Sequence, residues 1–385
     1  YWAERAPPAN SDEAFERMER TAEFWRGWIN QGVFPEHPWQ SFLQRAALTL
    51  KGLTYAPTGA LLAAATTSLP ETPGGERNYD YRYTWIRDAT FMLWGLYTLG
   101  FEREANDFFY FVADVCDEDP ELQIMYGVGG ERELPEEELD HLGGYEDARP
   151  VRIGNAAAHQ HQHDVYGELL DLTWAWHRQG RSPDADDWRF LVELVNEAAK
   201  RWTTPDRGIW ELRGRPRHLV HSKVMCWVAL DRGLRLADEL GFPAPIGRWT
   251  STRTAIRAEV ERHGYDPGRG VFTQAFDRPE LDAALLLLPS TGFVAWDDPR
   301  MLRTVDAVRS ELEVGGLLLR YRASDGLQGA EGAFVACTFW LAECLARQGR
   351  TGPAQAAFAR ASATANDLGL FAEEFDPGTE TLLGN

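Results

Sequence analysis

The sequence predicts an all-α protein, an (α/α)6 barrel of six helical hairpins with long loops gathered at one end. Three observations predict it. Amphipathic 3.6-residue periodicity returns in about twelve segments. Strand signals are sparse. Short pieces in which a Gly precedes apolar residues recur between helix pairs, beginning at Gly208, Gly270, Gly316 and Gly369, which are 62, 46 and 53 residues apart. A unit of two helices and a loop that repeats in this way closes into a toroid of hairpins.

Taken in order, Phe15, Met18, Ala22, Trp25 and Ile29 follow i, i+3, i+4 spacing and predict a first helix. A second, over 38–53, turns Leu43, Ala47, Leu50 and Leu53 inward. Others are predicted over 88–99, 103–116, 155–179, 186–202, 222–240, 247–263, 282–288, 298–312, 333–348 and 353–367. Gly100 and Gly180 fall where glycine caps belong, and Pro289 stops another helix. Residues 61–68 read as a short strand. Two stretches, 54–87 and 117–154, exceed the length of plain connectors and are expected to carry function. The first ten residues read as the tail of a linker. The expected division is a linker and helix over 1–37 and a barrel domain over 38–385.

The chain has 385 residues, 39 Lys and Arg against 59 Asp and Glu, and a net charge of −20. With 44% hydrophobic and 25% charged residues it can bury a core, and long disorder is excluded. The acidic balance argues against a nucleic-acid partner, which needs clustered Lys and Arg. No apolar run approaches the roughly 20 residues of a membrane span, and no signal peptide is read in the sequence given, which starts at Tyr1 rather than Met, as a processed or trimmed chain would. Fifteen Trp, 19 Phe and 12 Tyr exceed what a core demands. Flat rings suit a pocket for sugars, whose C–H faces stack on aromatics. Trp25 and Trp188 are assigned to the core, Trp85 and Trp210 to a pocket. Cys116, Cys226, Cys337 and Cys344 form no CxxC pair, so they read as free thiols in a reducing, cytoplasmic compartment.

Five clusters could carry chemistry. Residues 78–88 pack four aromatics, two Arg and two Asp before a helix. Arg87 and Asp88 can hydrogen-bond sugar hydroxyls while Tyr81 and Trp85 pack on the ring. The competing reading is an Asp88 helix cap with an Arg87–Asp80 ion pair. Glu211 follows Trp210, and a carboxyl beside apolar rings is pushed toward its neutral form, as a general acid requires. The competing reading is a solvated pair with Arg213. Glu373 and Glu374 precede Phe375-Asp376-Pro377. Neighbouring side chains diverge, so one can face a pocket and complete a two-carboxyl site with Glu211; otherwise the pair is an acidic turn. Arg320-Tyr321, Asp325 to Gly329 and Glu331 to Phe334 offer glycines for close backbone approach or simply turns. His159 and His163 share a face if they lie on one helix, but no Glu between them completes a metalloprotease pattern, and no metal is expected. Asp186-Asp187 and Asp297-Asp298 read as helix starts.

Six stretches together resemble glycoside hydrolase family 15, the glucoamylases, glucodextranases and bacterial trehalases. They are 77–88 (RNYDYRYTWIRD), 150–155 (PVRIGN), 206–213 (DRGIWELR), 222–230 (SKVMCWVAL), 331–340 (EGAFVACTFW) and 372–377 (AEEFDP), in family order. The resemblance implies an (α/α)6 catalytic barrel and an inverting exo-acting α-glucosidase that releases glucose from non-reducing ends. It implies Glu211 as general acid and Glu373 as general base. Arg87 and Asp88 would grip the terminal glucose, Tyr81, Trp85 and Trp210 would line its site, and Arg320 would stand near the cleavage point. No cofactor is implied; the partner is a small α-glucoside or oligosaccharide, with neither nucleic acid nor membrane.

Two departures from the family pattern stand out. The N-terminal β-sandwich domain usual in bacterial relatives is not in the sequence given, which stops at Asn385 where relatives run into a last barrel helix, so a fragment of a longer chain is one expectation. One predicted helix, the first, is therefore expected outside the ring, with an exposed apolar seam where the ring lacks a helix. The stretch 122–155 resembles mycobacterial-type trehalases, so trehalose hydrolysis is the alternative to the broader glucosidase reading. A sugar-binding protein without catalysis is a further alternative, against which both glutamates speak. A phosphorylase would not need Glu373, and a terpene cyclase needs an Asp-rich motif that is missing here.

Overall fold

A computed structural model of the chain describes residues 7–66, 69–118, 122–323 and 331–384. Eleven α-helices lie among them: α1 (Ser11–Ile29), α2 (Gln40–Gly52), α3 (Ile86–Thr98), α4 (Arg103–Glu118), α5 (Asp164–Arg178), α6 (Ala185–Arg201), α7 (Val220–Leu240), α8 (Ile246–His263), α9 (Pro299–Leu312), α10 (Val335–Arg347) and α11 (Thr351–Ser362).

The helices sort into two layers, as in an (α/α)6 barrel. α3, α5, α7, the 3-10 segment Ala283–Leu287 and α10 each touch the next and form the inner layer. α2, α4, α6, α8 and α9 each precede one of these and, with α11 packed on α10, form the outer layer. Burial follows the layers. Sixteen of the 21 residues of α7 are buried, including His221, Ser222, Lys223 and Asp231. Only Trp249, Ile256 and Val260 of α8 are. A helix walled on all sides carries no solvent face, so the periodic stripe fades in α7 and is clear in α6. α5 and α7 cross closely at Gly167, where a Cβ would stand 2.3 Å from the Met225 carbonyl oxygen.

Several elements differ from expectation for identifiable reasons. Over 282–288 the Asp282 side chain accepts from Ala284 N, and the chain tightens into a 3-10 segment. Residues 155–163 are not part of α5. The Asn155 side chain caps a 3-10 turn over Ala156–His159, and the non-local bond from His163 N to Asp206 Oδ2 (3.0 Å) holds the chain out of helix until Asp164. His159 and His163 therefore do not share a helix face. α1 meets α2, and Trp28 stacks on Phe101 at 4.0 Å and donates to Glu104. Trp28 is the buried residue of α1; Phe15 and Met18 are exposed, and Trp25, assigned to the core, is half-buried. Trp188 is in the core. Between α3 and α10, Phe91 and Trp340 approach to 6.2 Å while Phe91 and Trp94 remain exposed. Of the 61–68 strand only Ala60–Leu61 forms, and positions 67 and 68 lie outside the described residues. Gly208-Ile209-Trp210 and Gly369-Leu370-Phe371 are turns or coil, whereas Val271–Phe272 and Leu317–Leu318 are two-residue strands. Cys226, Cys337 and Cys344 are buried free thiols; the side chain of Cys116 lies outside the described residues. No helix among the described residues is long and apolar enough to cross a membrane.

The loops that run from an outer helix to the next inner position place the site. Short antiparallel pairs stiffen them. Thr84–Trp85 pairs with Met125–Tyr126, and Glu137–Glu138 with Arg152–Ile153. Ala333–Phe334 pairs with Glu374–Asp376, which pairs with Thr381–Leu383. The last sheet sets Phe334 opposite Glu374, and Val335 N donates to Glu373 O at 3.1 Å.

Candidate active site

Loops from five parts of the chain line one cavity of about 570 Å³, within the ~300–1,000 Å³ usual for small-molecule sites. Tyr81, Trp85, Arg87, Asp88, Trp210, Glu211, Arg320 and Glu373 all face it. The eight predicted site residues, spread over nearly 300 positions, thus come together.

Glu211 sits at φ 54°, a left-handed conformation uncommon for a side-chain-bearing residue. The turn from Gly208 to Glu211, closed by Glu211 N donating to Gly208 O (3.1 Å), puts it there. Gly208 also has positive φ, and a Cβ on it would meet Leu219 at 2.2 Å. Buried Asp206 anchors the turn by accepting from the backbone N–H of Gly208 and of His163. Trp85 Nε1 donates to Glu211 Oε1 at 2.6 Å, and Arg87 Nη2 lies 3.4 Å from the same oxygen. Arg213, the alternative partner, lies against Glu136 instead (3.6 Å).

Arg87 donates to Ile209 O (2.8 Å) and pairs with Asp88 (3.2 Å), so the first turn of α3 presents a cation and an anion side by side. The Arg87–Asp80 pair is not formed. Asp80 is taken by Arg82 at 2.9 and 3.0 Å and accepts from Gly154 N. Nor does Asp88 cap the helix, which begins at Ile86. Beneath Arg87, burial pushes Asp164 up to about 6 and, together with the Arg87 charge, His221 down to about 3. Tyr81 and Trp85 stack at 5.7 Å. Trp210 donates to Asp282 Oδ1 (2.8 Å) and packs on Phe334 and Trp340.

Glu373 and Glu374 diverge. Glu373 lines the cavity, and its Oε2 has no hydrogen-bond partner among the described residues. Glu374 is fully buried, accepts from Gly332 N (2.9 Å) and pairs with Arg320 (3.2 Å). Burial first, then the Glu71 charge, raises the Glu373 carboxyl to about 8. The Arg320 guanidinium lies over the Trp210 and Phe334 rings at 5.7 and 5.2 Å. Asp325 to Gly329 lie outside the described residues. Burial pushes His163 down to about 3, and no group of three or more His, Cys, Asp or Glu among the described residues could hold a metal ion. Sequence reasoning missed Glu71 and gave no individual role to Arg77 or Tyr79, within the stretch it singled out; all three also line the cavity.

Comparison with known proteins places this geometry in context. The family model for glycosyl hydrolases family 15 matches residues 38–385. The chain is 54% identical over 391 residues to a trehalase of Mycobacterium tuberculosis, covering all of this chain and 57% of that protein. It is 53% identical to a trehalase of Mycolicibacterium smegmatis, covering all of this chain and 58% of the relative. The chain thus spans less than three-fifths of the length of these curated relatives. A crystal structure of a bacterial glucoamylase complexed with acarbose superposes with a TM-score of 0.69 at 15% identity, over 92% of this chain and 54% of that one.

Proposed function

The chain belongs to the glycosyl hydrolases of family 15, and on that premise we propose that it hydrolyses trehalose to two glucose molecules with inversion at the attacked carbon. The observation that carries the reading is the pair Glu211 and Glu373, two carboxyls from different loops that face one cavity beside Arg87 and Asp88. Trehalose is preferred over the broader range of α-glucosides because relatives identical at more than half of their aligned positions bear the name trehalase. The glucoamylase likeness, at 15% identity, concerns the fold alone.

In this reading Arg87 and Asp88 hold the hydroxyls of one glucose, with Tyr81, Trp85 and Trp210 against its ring. Glu211 gives its proton to the glycosidic oxygen as the bond from that oxygen to the anomeric carbon breaks. A water attacks the anomeric carbon from the opposite face and passes a proton to Glu373, so both carboxyls exchange roles by one proton. The products are one β-glucose, from the attacked ring, and one α-glucose. Arg320 steadies the loop that faces Glu373. Water attack needs the Glu373 carboxylate, the form that burial and the Glu71 charge disfavour.

Incubation with trehalose, maltose and isomaltose, with anomers followed by proton NMR, tests the reading. Equal initial release of β- and α-glucose from trehalose, at a kcat/KM above those for maltose and isomaltose, is expected. α-Glucose alone would refute inversion, preference for maltose would return the broader glucosidase reading, and binding without turnover would favour a non-catalytic protein. Glu211→Gln and Glu373→Gln should each lose about 10²–10⁴-fold or more in kcat, and normal turnover in either would remove it from the mechanism.

A further inference from the structure

Near Glu373 lies a largely buried cluster of charges, of which the mechanism uses only Arg320. Glu71 is 3% exposed and borders the cavity. Its Oε1 accepts from the Tyr81 hydroxyl (3.3 Å), and its Oε2 lies 3.4 Å from Arg320 Nη2 and 3.9 Å from Arg77 Nη1. Arg320 is shared further, with Glu331 at 2.9 Å and Glu374 at 3.2 Å, and Arg77 also pairs with Glu331. The backbone locks the same elements together. Glu71 N donates to Arg77 O (3.0 Å), and Gly384 N donates to Pro70 O (2.9 Å) where Gly384 lies against the Glu373 side chain.

The charges do not balance. Glu71, Glu331, Glu373 and Glu374 offer four carboxyls, whereas Arg77 and Arg320 offer two cations. From the other sides, Glu211 and Asp88 add negative charge across the cavity, and Arg87, Arg152 and Arg213 add cations farther off. Two cations cannot stabilise four anions in a site shielded from water, so the carboxyls compete.

We propose that Glu71 is a positioning residue of this hydrolase, fixing Tyr81 and Arg320 beside Glu373 and competing with Glu373 for the Arg320 charge. It rests on the trehalase reading for its kinetic consequence, but the competition itself belongs to the folded chain. The elevated value of Glu373, in which Glu71 is the largest influence after burial, agrees with it. Glu71→Gln keeps the shape and removes one competing charge. Glu373 then ionises at lower pH, and the acidic limb of kcat/KM moves down by about one pH unit. Glu71→Asp keeps the charge but draws the carboxylate away from Tyr81 and Arg320. It leaves the limb in place and lowers kcat about tenfold or more, since a displacement near 1 Å can cost up to about 10²-fold.

The test combines pH–rate profiles on trehalose with carboxyl ¹³C NMR titration of glutamate-labelled chain, the Glu373 signal being assigned by its loss in Glu373→Gln. A lowered Glu373 midpoint in Glu71→Gln supports the proposal; an unmoved midpoint overturns it. If Glu71→Gln does not fold, Glu71→Asp decides, and wild-type kcat in that variant overturns the proposal. If the wild-type chain leaves trehalose intact, the substrate reading fails alone, and the NMR titration still decides the role of Glu71.

Discussion

The indole N–H of Trp85 donates to Glu211 Oε1 at 2.6 Å, across 126 residues of sequence. Trp85 is 2% exposed and immediately precedes α3, so the bond ties the proposed acid to the rigid start of an inner helix. The left-handed backbone at Glu211 leaves its side chain dependent on such a partner. Trp85→Phe keeps most of the ring packing and removes the donor. We expect kcat on trehalose to fall about 10–100-fold with a smaller change in KM, as for a group displaced by a fraction of its reach. Steady-state kinetics check this. A drop in KM affinity alone would assign Trp85 to sugar stacking and not to Glu211.

Stability should decline from mildly acidic to mildly alkaline pH. Burial raises Glu373 to about 8 and Asp164 to about 6, and raises Glu168 and Glu374 as well. A carboxyl whose folded value lies above its unfolded one keeps its proton in the native state while the unfolded chain has already released it. The native state then binds more protons between about pH 4.5 and 8, so unfolding becomes easier as pH rises through that window. Thermal melts at pH 5, 6, 7 and 8 should show a falling midpoint. In Glu373→Gln the fall should be shallower and the midpoint at pH 8 higher. Parallel curves for the two proteins would show that Glu373 does not titrate in this window.

The close crossing of α5 and α7 predicts a cost for one methyl group. A Cβ at Gly167 would stand 2.3 Å from the Met225 carbonyl oxygen, a backbone atom that cannot rotate away. Gly167→Ala should destabilise the chain by about 1–3 kcal/mol or more, because overpacking there forces two inner helices apart. Denaturant titration measures it. An unchanged midpoint would mean that the two helices slide freely at this point.

The inner helices were legible in sequence because burial on every side demands long apolar runs, as in Val224–Leu230 of α7. What was not legible is governed by distant partners. Residues 155–163 carry helix-compatible residues, but Asp206 captures the His163 N–H and delays α5. The first helix has an apolar stripe, yet it lies against the barrel through Trp28 and leaves Phe15 and Met18 in solvent. In the site, Glu211, Glu373, Arg87 and Asp88 stand inside aromatic-rich motifs and could be singled out. Glu71 follows an unremarkable Leu69-Pro70, and its partner Arg320 is 249 residues away, a relation no local pattern encodes. The Arg87–Asp80 pair failed for the opposite reason, since Arg82 is nearer to Asp80 and reaches both its oxygens.

One charged part of the cavity lining predicts where substrate choice resides. Two guanidinium groups lie over the Tyr79 ring, Arg152 at 5.6 Å and Arg213 at 5.1 Å. Glu136, from the loop between α4 and α5, lies 3.5 Å from Arg152 and 3.6 Å from Arg213 and holds both. Tyr79, Asn155 and Arg213 line the same cavity as Glu211, and under the trehalose proposal we expect this assembly to meet the second sugar. It is carried by loops and not by helices, and its ion pairs at 3.5 and 3.6 Å are partly exposed. Shortening the hairpin between Glu137–Glu138 and Arg152–Ile153, or substituting Glu136→Ala, should therefore shift the ratio of kcat/KM for trehalose over maltose by about tenfold or more. That shift corresponds to about 1.4 kcal/mol of differential binding, within what a few polar contacts supply. The thermal midpoint should move by only a few degrees. An unchanged ratio with an intact melt would place selection at the Arg87–Asp88 end instead.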